Sequence, residues 1–491
     1  MRWASAAVVL PLALVCGSCK DEGINPVPGP SIGYQTGSRL RARVRSSQPG
    51  ARMLAGWHDT TLGADCTFVP TEDGETRCAP SGAQVLFLDQ LCQSPIGVVS
   101  TDCGAPPRFA SATFESSVAC AGAVRAFRVG DEITLPSRHV YVGGGASGAC
   151  LRATELDPSA VAYGLDPIAP SELVKATLSH APKTDRLGLE VLVADDGARQ
   201  VSGLYDVSSK RRCFSIAGAI GGGEDRCVPD AVAWATYAAD ATCSSPIAYQ
   251  VHPASNCADP SVVVAYGYDG CNVRASYFAP GARFDINKVF SGAAPVCTPL
   301  LRQPSLYAEL ERDHVFYAVG APIAPTAFAQ LQNQTTGFGR LTVPVLAAAD
   351  GTELTPPRPD TFFDTDLAAP CRVYLFPDGA KRCVPADALP IASPSYSDDA
   401  CTTEIVGVPQ QPGCDSTPKP AYGVRVSGSA CATDVTASKV VKLGTELQTL
   451  GGYYGTDANG ACVRQAQGGV FATVDGEVPT STLAVVVETV E

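Results

Sequence analysis

Eighteen of the twenty cysteines in this 491-residue chain fall into three sets of six with similar spacing. The sets are Cys66, Cys78, Cys92, Cys103, Cys120, Cys150; Cys213, Cys227, Cys243, Cys257, Cys271, Cys297; and Cys371, Cys383, Cys401, Cys414, Cys431, Cys462. Such a framework needs a compartment where thiols oxidise, and it makes each third of the chain a variant of one stapled fold. Zinc is the rival use of clustered cysteines. It fits badly, because the only Cys-x-x-Cys is Cys16 to Cys19 and the chain has five histidines.

Other landmarks keep the same rhythm. Arg39-Leu40, Arg186-Leu187 and Arg340-Leu341 each open a short apolar run. An aromatic-containing segment ending in Asp59, Asp206 or Asp364 precedes the first cysteine of each set. The second cysteine lies in Arg-Cys-x-Pro, led by Arg77, Arg226 and Arg382, and Asp89, Asp240 and Asp398 stand three residues before the third. These landmarks divide the chain into repeats 39–185, 186–339 and 340–491, each the size of a domain.

Short alternating or apolar runs bounded by turn residues, such as 39–45, 84–89, 95–100 and 139–142, read as strands. Residues 170–175 and 325–331 suit short helices. The expected fold is mainly β: three tandem disulfide-stapled antiparallel modules, with a single propeller-like ring formed by the three repeats as the alternative. The first and second cysteines of each set flank a turn, and loop lengths recur, so sequential pairing (first–second, third–fourth, fifth–sixth) is expected. Each such bridge stabilises by about 3 kcal/mol.

The two remaining cysteines lie near the start. Residues 4–15 are apolar but too few to span a bilayer, and small residues then precede Cys19. The segment resembles the lipobox of bacterial lipoproteins, which implies a signal peptide at 1–18 and a lipid on Cys19. Residues 19–38, rich in Pro and Gly, read as the lipidated cysteine and its tether. The expected partner is thus a membrane, held through the N-terminal lipid.

The net charge of −13, with no basic stripe to offset it, argues against nucleic acid as a partner. No nucleophile elbow or His-Glu-x-x-His motif is present, and the Gly-rich stretches 143–145 and 221–223 lack the Lys-Ser/Thr of a phosphate loop. Trp57-His58-Asp59 is the most suggestive trio, yet neighbours on a strand face opposite ways. The six repeated aspartates are candidate calcium ligands, but a carboxylate that accepts backbone N–H groups at a turn explains them more simply. Neither a cofactor nor a metal site is expected, and no catalytic residue is assigned.

The combined pattern of aromatic-Asp-x6-Cys, Asp-Gly-x-x-Arg-Cys-x-Pro and aromatic-x-Asp-x-x-Cys resembles an uncharacterised family of tandem-repeat, cysteine-rich bacterial lipoproteins. The resemblance covers nearly all of 39–491, and the middle repeat departs from it at 221–225. It implies an exported protein anchored by lipid in the cell envelope, at the outer membrane, and facing periplasm or exterior. The expected role is non-enzymatic (binding, adhesive or envelope-structural), with a protein or glycan as the ligand class. The alternative is a secreted hydrolase whose site lies in one repeat only and uses residues such as His58 or His252.

Overall fold

The structure is a computed structural model. It describes residues 33–491 apart from 48–49, 101–105, 115–121, 145–148, 183, 217–218, 221–224, 231, 252–257, 270–271, 294–295, 304–306, 308–309, 312–313, 355–360, 392, 409–419, 428–435, 458–459 and 467. The expected signal peptide at 1–18, Cys19 and most of the expected tether lie outside the described residues, as do Cys103, Cys120, Cys257, Cys271, Cys414, Cys431 and His252.

A strand with two open edges must find two partners, and fifteen strands here satisfy one another in a closed circuit. In chain order these ring strands are β1 (Leu40–Ser46), β2 (Arg52–Asp59), β3 (Ala64–Pro70), β4 (Thr76–Pro80), β5 (Lys175–Pro182), β6 (Leu187–Ala194), β7 (Arg199–Asp206) and β8 (Arg211–Ile216). They continue with β9 (Asp225–Pro229), β10 (Ala329–Thr336), β11 (Leu341–Ala348), β12 (Thr361–Asp364), β13 (Ala369–Leu375), β14 (Lys381–Pro385) and β15 (Val485–Val490). Each pairs antiparallel with the next. The last strand closes on the first, in register from Arg43↔Val490 to Ser46↔Val487. Closure removes the exposed edges on which sheets otherwise aggregate.

Strands β5, β10 and β15 tie neighbouring repeats together. β5 meets β4 of its own repeat only at Lys175 and Ala176, but it pairs with β6 of the next repeat from Ala176 to Pro182. β6 is consequently buried on both faces. Leu187, Leu189 and Val191 pack with Leu204, Cys213, Cys227 and Leu331, while Ala194 joins Leu40, Trp57, Cys66 and Cys78 in the preceding core. A third core sets Leu341, Phe362, Cys371 and Val486 against Ala51 and Met53 from the start of the chain. The mainly β, disulfide-stapled fold is as expected. Of the two arrangements, the ring describes the inner strands, although they form one hydrogen-bonded circuit rather than separate blades.

Between its fourth and fifth ring strands each repeat builds an outer sheet. In the first repeat Gln84–Phe87, Pro95–Ser100, Ala160–Pro167, Ala123–Ile133 and Phe109–Phe114 pair in that order, and a bridge between Ala83 and Ala110 closes a small barrel. The other two repeats close the same circuit through a parallel pairing, Val232↔Val262 and Leu389↔Gly423. The expected helices are single 3-10 turns, Pro170–Glu172 and Pro325–Ala327. Each turn leads straight into β5 or β10, whose hydrogen bonds to the next repeat outweigh the local helical signal.

The first-to-second bridges form as expected across β3–β4, β8–β9 and β13–β14: Cys66–Cys78, Cys213–Cys227 and Cys371–Cys383. The other two expected pairings are overturned. The third cysteine bonds the sixth, giving Cys92–Cys150, Cys243–Cys297 and Cys401–Cys462, with Cα atoms 5.7, 5.8 and 5.8 Å apart. Cys92, Cys243 and Cys401 sit in left-handed turns at φ of 51, 54 and 53°. Those turns meet a later hairpin that carries the sixth cysteine (His139–Gly144 with Ala149–Glu155 in the first repeat), so spatial adjacency overrides adjacency in sequence. Pairing of the third cysteine with the fourth, or the fifth with the sixth, is thereby excluded.

Candidate functional site

The most faithfully repeated polar residues hold the scaffold. Asp59 is fully buried; it accepts from Arg39 Nε at 2.8 Å and Nη2 at 2.7 Å, and from the backbone N–H groups of Thr61 and Leu62. Asp364 repeats this with Arg340, Asp366 and Leu367. Asp206 takes Ser208 and Ser209, but its Arg186 stands off at 3.9 Å. At the third cysteine, Asp89 accepts from the backbone of Leu91, Gln93 and Ser94. Asp240 and Asp398 cap their turns in the same way. The Thr242 hydroxyl and backbone donors hold Asp240 well below the usual carboxylate range. Arg77 and Arg382 pair with Asp73 and Asp378, and Arg226 reaches the Phe328 carbonyl. Among the described residues no group of three or more His, Cys, Asp or Glu is placed to hold a metal.

The suggestive trio divides as strand geometry requires. Trp57 and Asp59 face a core, whereas His58 turns outward to Asp65 at 2.9 Å. His180 stacks on Tyr205 with ring centroids 4.0 Å apart and lies 3.4 Å from Glu190.

Where the repeats converge they line a partly open cavity of about 880 Å³. Its walls come from β2 and β3 of the first repeat, from β6 to β9 of the second, and from Asn333, Leu346 and Leu354. That volume lies toward the upper end of small-molecule sites, which run roughly 300–1,000 Å³. The apolar wall includes Leu54, Trp57, Phe68, Leu192 and Phe214, and polar groups are set among them. Trp57 Nε1 donates to Gln200 Oε1 at 2.8 Å. Arg212 Nη2 donates to the Ser202 carbonyl at 3.0 Å. Ser215 Oγ and Asn333 Nδ2 both donate to Asp225 Oδ2, at 2.7 and 3.3 Å.

Beside the cavity, around the lining residues Gly56, Gly203 and Arg212, equivalent positions in the three repeats are chemically unlike. The register aligns Leu40, Leu187 and Leu341, each opposite its aspartate. Three residues on, the first repeat has Arg43 paired with Asp65 at 2.7 Å. The second reverses the charges, with Glu190 paired with Arg212 at 3.3 Å, and the third has Pro344 and Pro370. The intervening strand carries Gly56, Gly203 and Thr361 at this place. A Cβ on Gly203 would stand 3.0 Å from Arg212 Nε and 3.1 Å from Glu190 Oε2, so glycine is what lets the pair reach across. Glu190 is only 2% exposed, and burial raises its carboxyl above the ordinary value while Arg212 and His180 act the other way. No repeated motif marks these residues. Aligning the repeats on their Arg-Leu openings and reading for differences is the signal that finds them.

No helix among the described residues is long and apolar enough to cross a membrane, and the six bridges fit an exported protein. No curated protein and no solved structure matches this chain. A family of unknown function (DUF7481) matches residues 31–328, more than half of the chain, and the chain belongs to that family.

Proposed function

We propose that this is a non-enzymatic binding protein of the bacterial cell envelope, anchored at the outer membrane by lipid on Cys19 and holding a small ligand in the cavity between its repeats. The single observation behind the reading is the contrast between a scaffold that repeats and a cavity that does not. Disulfides, caps and arginine–aspartate pairs recur with the repeats, whereas the cavity wall replaces Met53 by Gln200, Thr67 by Phe214 and Phe68 by Ser215 at matching positions. Convergent walls that set apolar side chains among placed polar groups are the ordinary form of a small-molecule site, and here the two kinds of surface are nearly balanced. The membrane attachment rests on the small residues before Cys19 and on the Pro/Gly-rich stretch after it.

Titration of the full chain with the apolar dye Nile red tests the reading. One saturable site is expected, with affinity falling about tenfold or more in Leu54→Trp, which fills the cavity from its apolar wall. Absence of a saturable site, or equal binding by the variant, overturns it.

A further inference from the structure

We infer that the cavity takes a monocationic amphiphile, an amine carried on an apolar or aromatic body, with its ammonium group against Asp225. The inference rests on the cavity reading above and names the ligand class. It begins with the register of the fifth strand in each repeat. β9 pairs with β10 as Asp225↔Leu331, and β14 pairs with β15 as Lys381↔Val486, so Asp225 matches Lys381 and Asn333 matches Glu488. In the third repeat these two positions hold an ion pair, Lys381 Nζ to Glu488 Oε2 at 2.7 Å. In the second repeat the acid has moved to the other strand, and its counterpart is a neutral amide. Asp225 therefore occupies an ion-pair position with Asn333 in place of a cation. Both of its hydrogen bonds, from Ser215 and Asn333, land on Oδ2, which leaves Oδ1 to accept from a ligand.

The other charges lining the cavity are already matched. Arg52 pairs with Glu491 and Arg212 with Glu190. An anionic ligand would find two arginines that already have carboxylates, and it would meet Asp225 as a like charge. A cation gains on each count. The net charge of −13 draws it in, and Trp57 and Phe68, packed edge to face on the wall, give its apolar body an aromatic surface. The first repeat has Thr76 and Leu178 at the same two positions, so the acid opposite a neutral partner is particular to the second repeat.

The test is calorimetric titration of the full chain at pH 7 with 4-phenylbutylamine, 4-phenylbutanol and 4-phenylbutanoate, which share one body and differ in head group. The amine is expected to bind about tenfold more tightly than the alcohol and the carboxylate more weakly than either. Asp225→Asn should bring the amine down to the alcohol while alcohol binding stays unchanged, which also shows that the variant is folded. Equal binding of amine and alcohol by the native chain, or an amine preference that survives in Asp225→Asn, overturns the ligand class alone. Binding of none of the three overturns the cavity reading with it.

Discussion

Removing residues 485–491 is expected to open the whole ring rather than fray one end. β15 is the only strand between β14 and β1 in the circuit. Its loss takes Val486, 3% exposed, out of the core that also contains Phe362 and Met53. It also strips Glu488, whose carboxylate is shared by Arg43, Arg45 at 3.0 Å and Lys381 at 2.7 Å. Three nearby cations would lose this shared acid, Arg43 keeping Asp65, and β1 would present an unpaired edge. Burial of a valine contributes about 2 kcal/mol and a largely buried ion network about 3. The cost is therefore on the order of 5 kcal/mol, comparable to the full stability of many domains. Thermal melts and limited proteolysis of the oxidised protein should both register it.

The same network gives that prediction a pH signature. Burial pushes the Glu488 carboxyl up, but hydrogen bonds from Lys381, Arg43 and Arg45 outweigh it and hold the group down at about 2. A depressed carboxylate stabilises the fold fully above its ordinary value, and the contribution fades as pH falls through the folded one. Glu488→Gln should accordingly melt below the native chain at pH 7, and the difference should close between about pH 4.5 and pH 2. A difference that persists at pH 2 would show that the side chain acts through packing rather than charge.

The second large effect belongs to the buried arginine–aspartate pairs. Asp364→Ala takes from Arg340 its buried acid, leaving only the exposed Asp366 at 3.2 Å, and leaves the N–H groups of Asp366 and Leu367 without their acceptor. Breaking such a pair on one side costs about 3–5 kcal/mol. Asp59→Ala should cost as much, because Arg39 binds it through two nitrogens. Asp206→Ala should cost clearly less, about 1–2 kcal/mol, because Arg186 stands 3.9 Å away and only the turn caps are lost. Chemical denaturation of the three variants gives the ranking. Equal losses at all three would mean that the caps, and not the arginines, carry the energy.

The strands, the stapling and the repeated aspartates were legible in the sequence because each has a local cause: alternation, cysteine spacing, a short acid at a turn. What was not legible depends on segments that meet late. The Arg-Leu and aromatic-Asp landmarks read as separate signposts, yet Arg39 with Asp59 and Arg340 with Asp364 are single interactions across β1–β2 and β11–β12. The third cysteine looks bound for the fourth on loop length, but a loop some five times longer costs only about 1.4 kcal/mol more to close, which a well-placed hairpin readily offsets. The cavity was hidden for a different reason. Its residues are defined by how repeats differ, and repetition draws the eye to what they share. Glu190 and Arg212 look like ordinary surface charges until the register brings them together over Gly203.

The central claim is that the three repeats close into one ring through the first and last strands. Hydrogen–deuterium exchange over residues 40–46 and 485–490 tests it most directly. The ring predicts slow exchange in both segments, comparable to Leu187–Ala194, which is flanked by partners on either side. Rapid exchange of the 485–490 amides alongside a protected 187–194 would contradict closure and leave three repeats joined end to end.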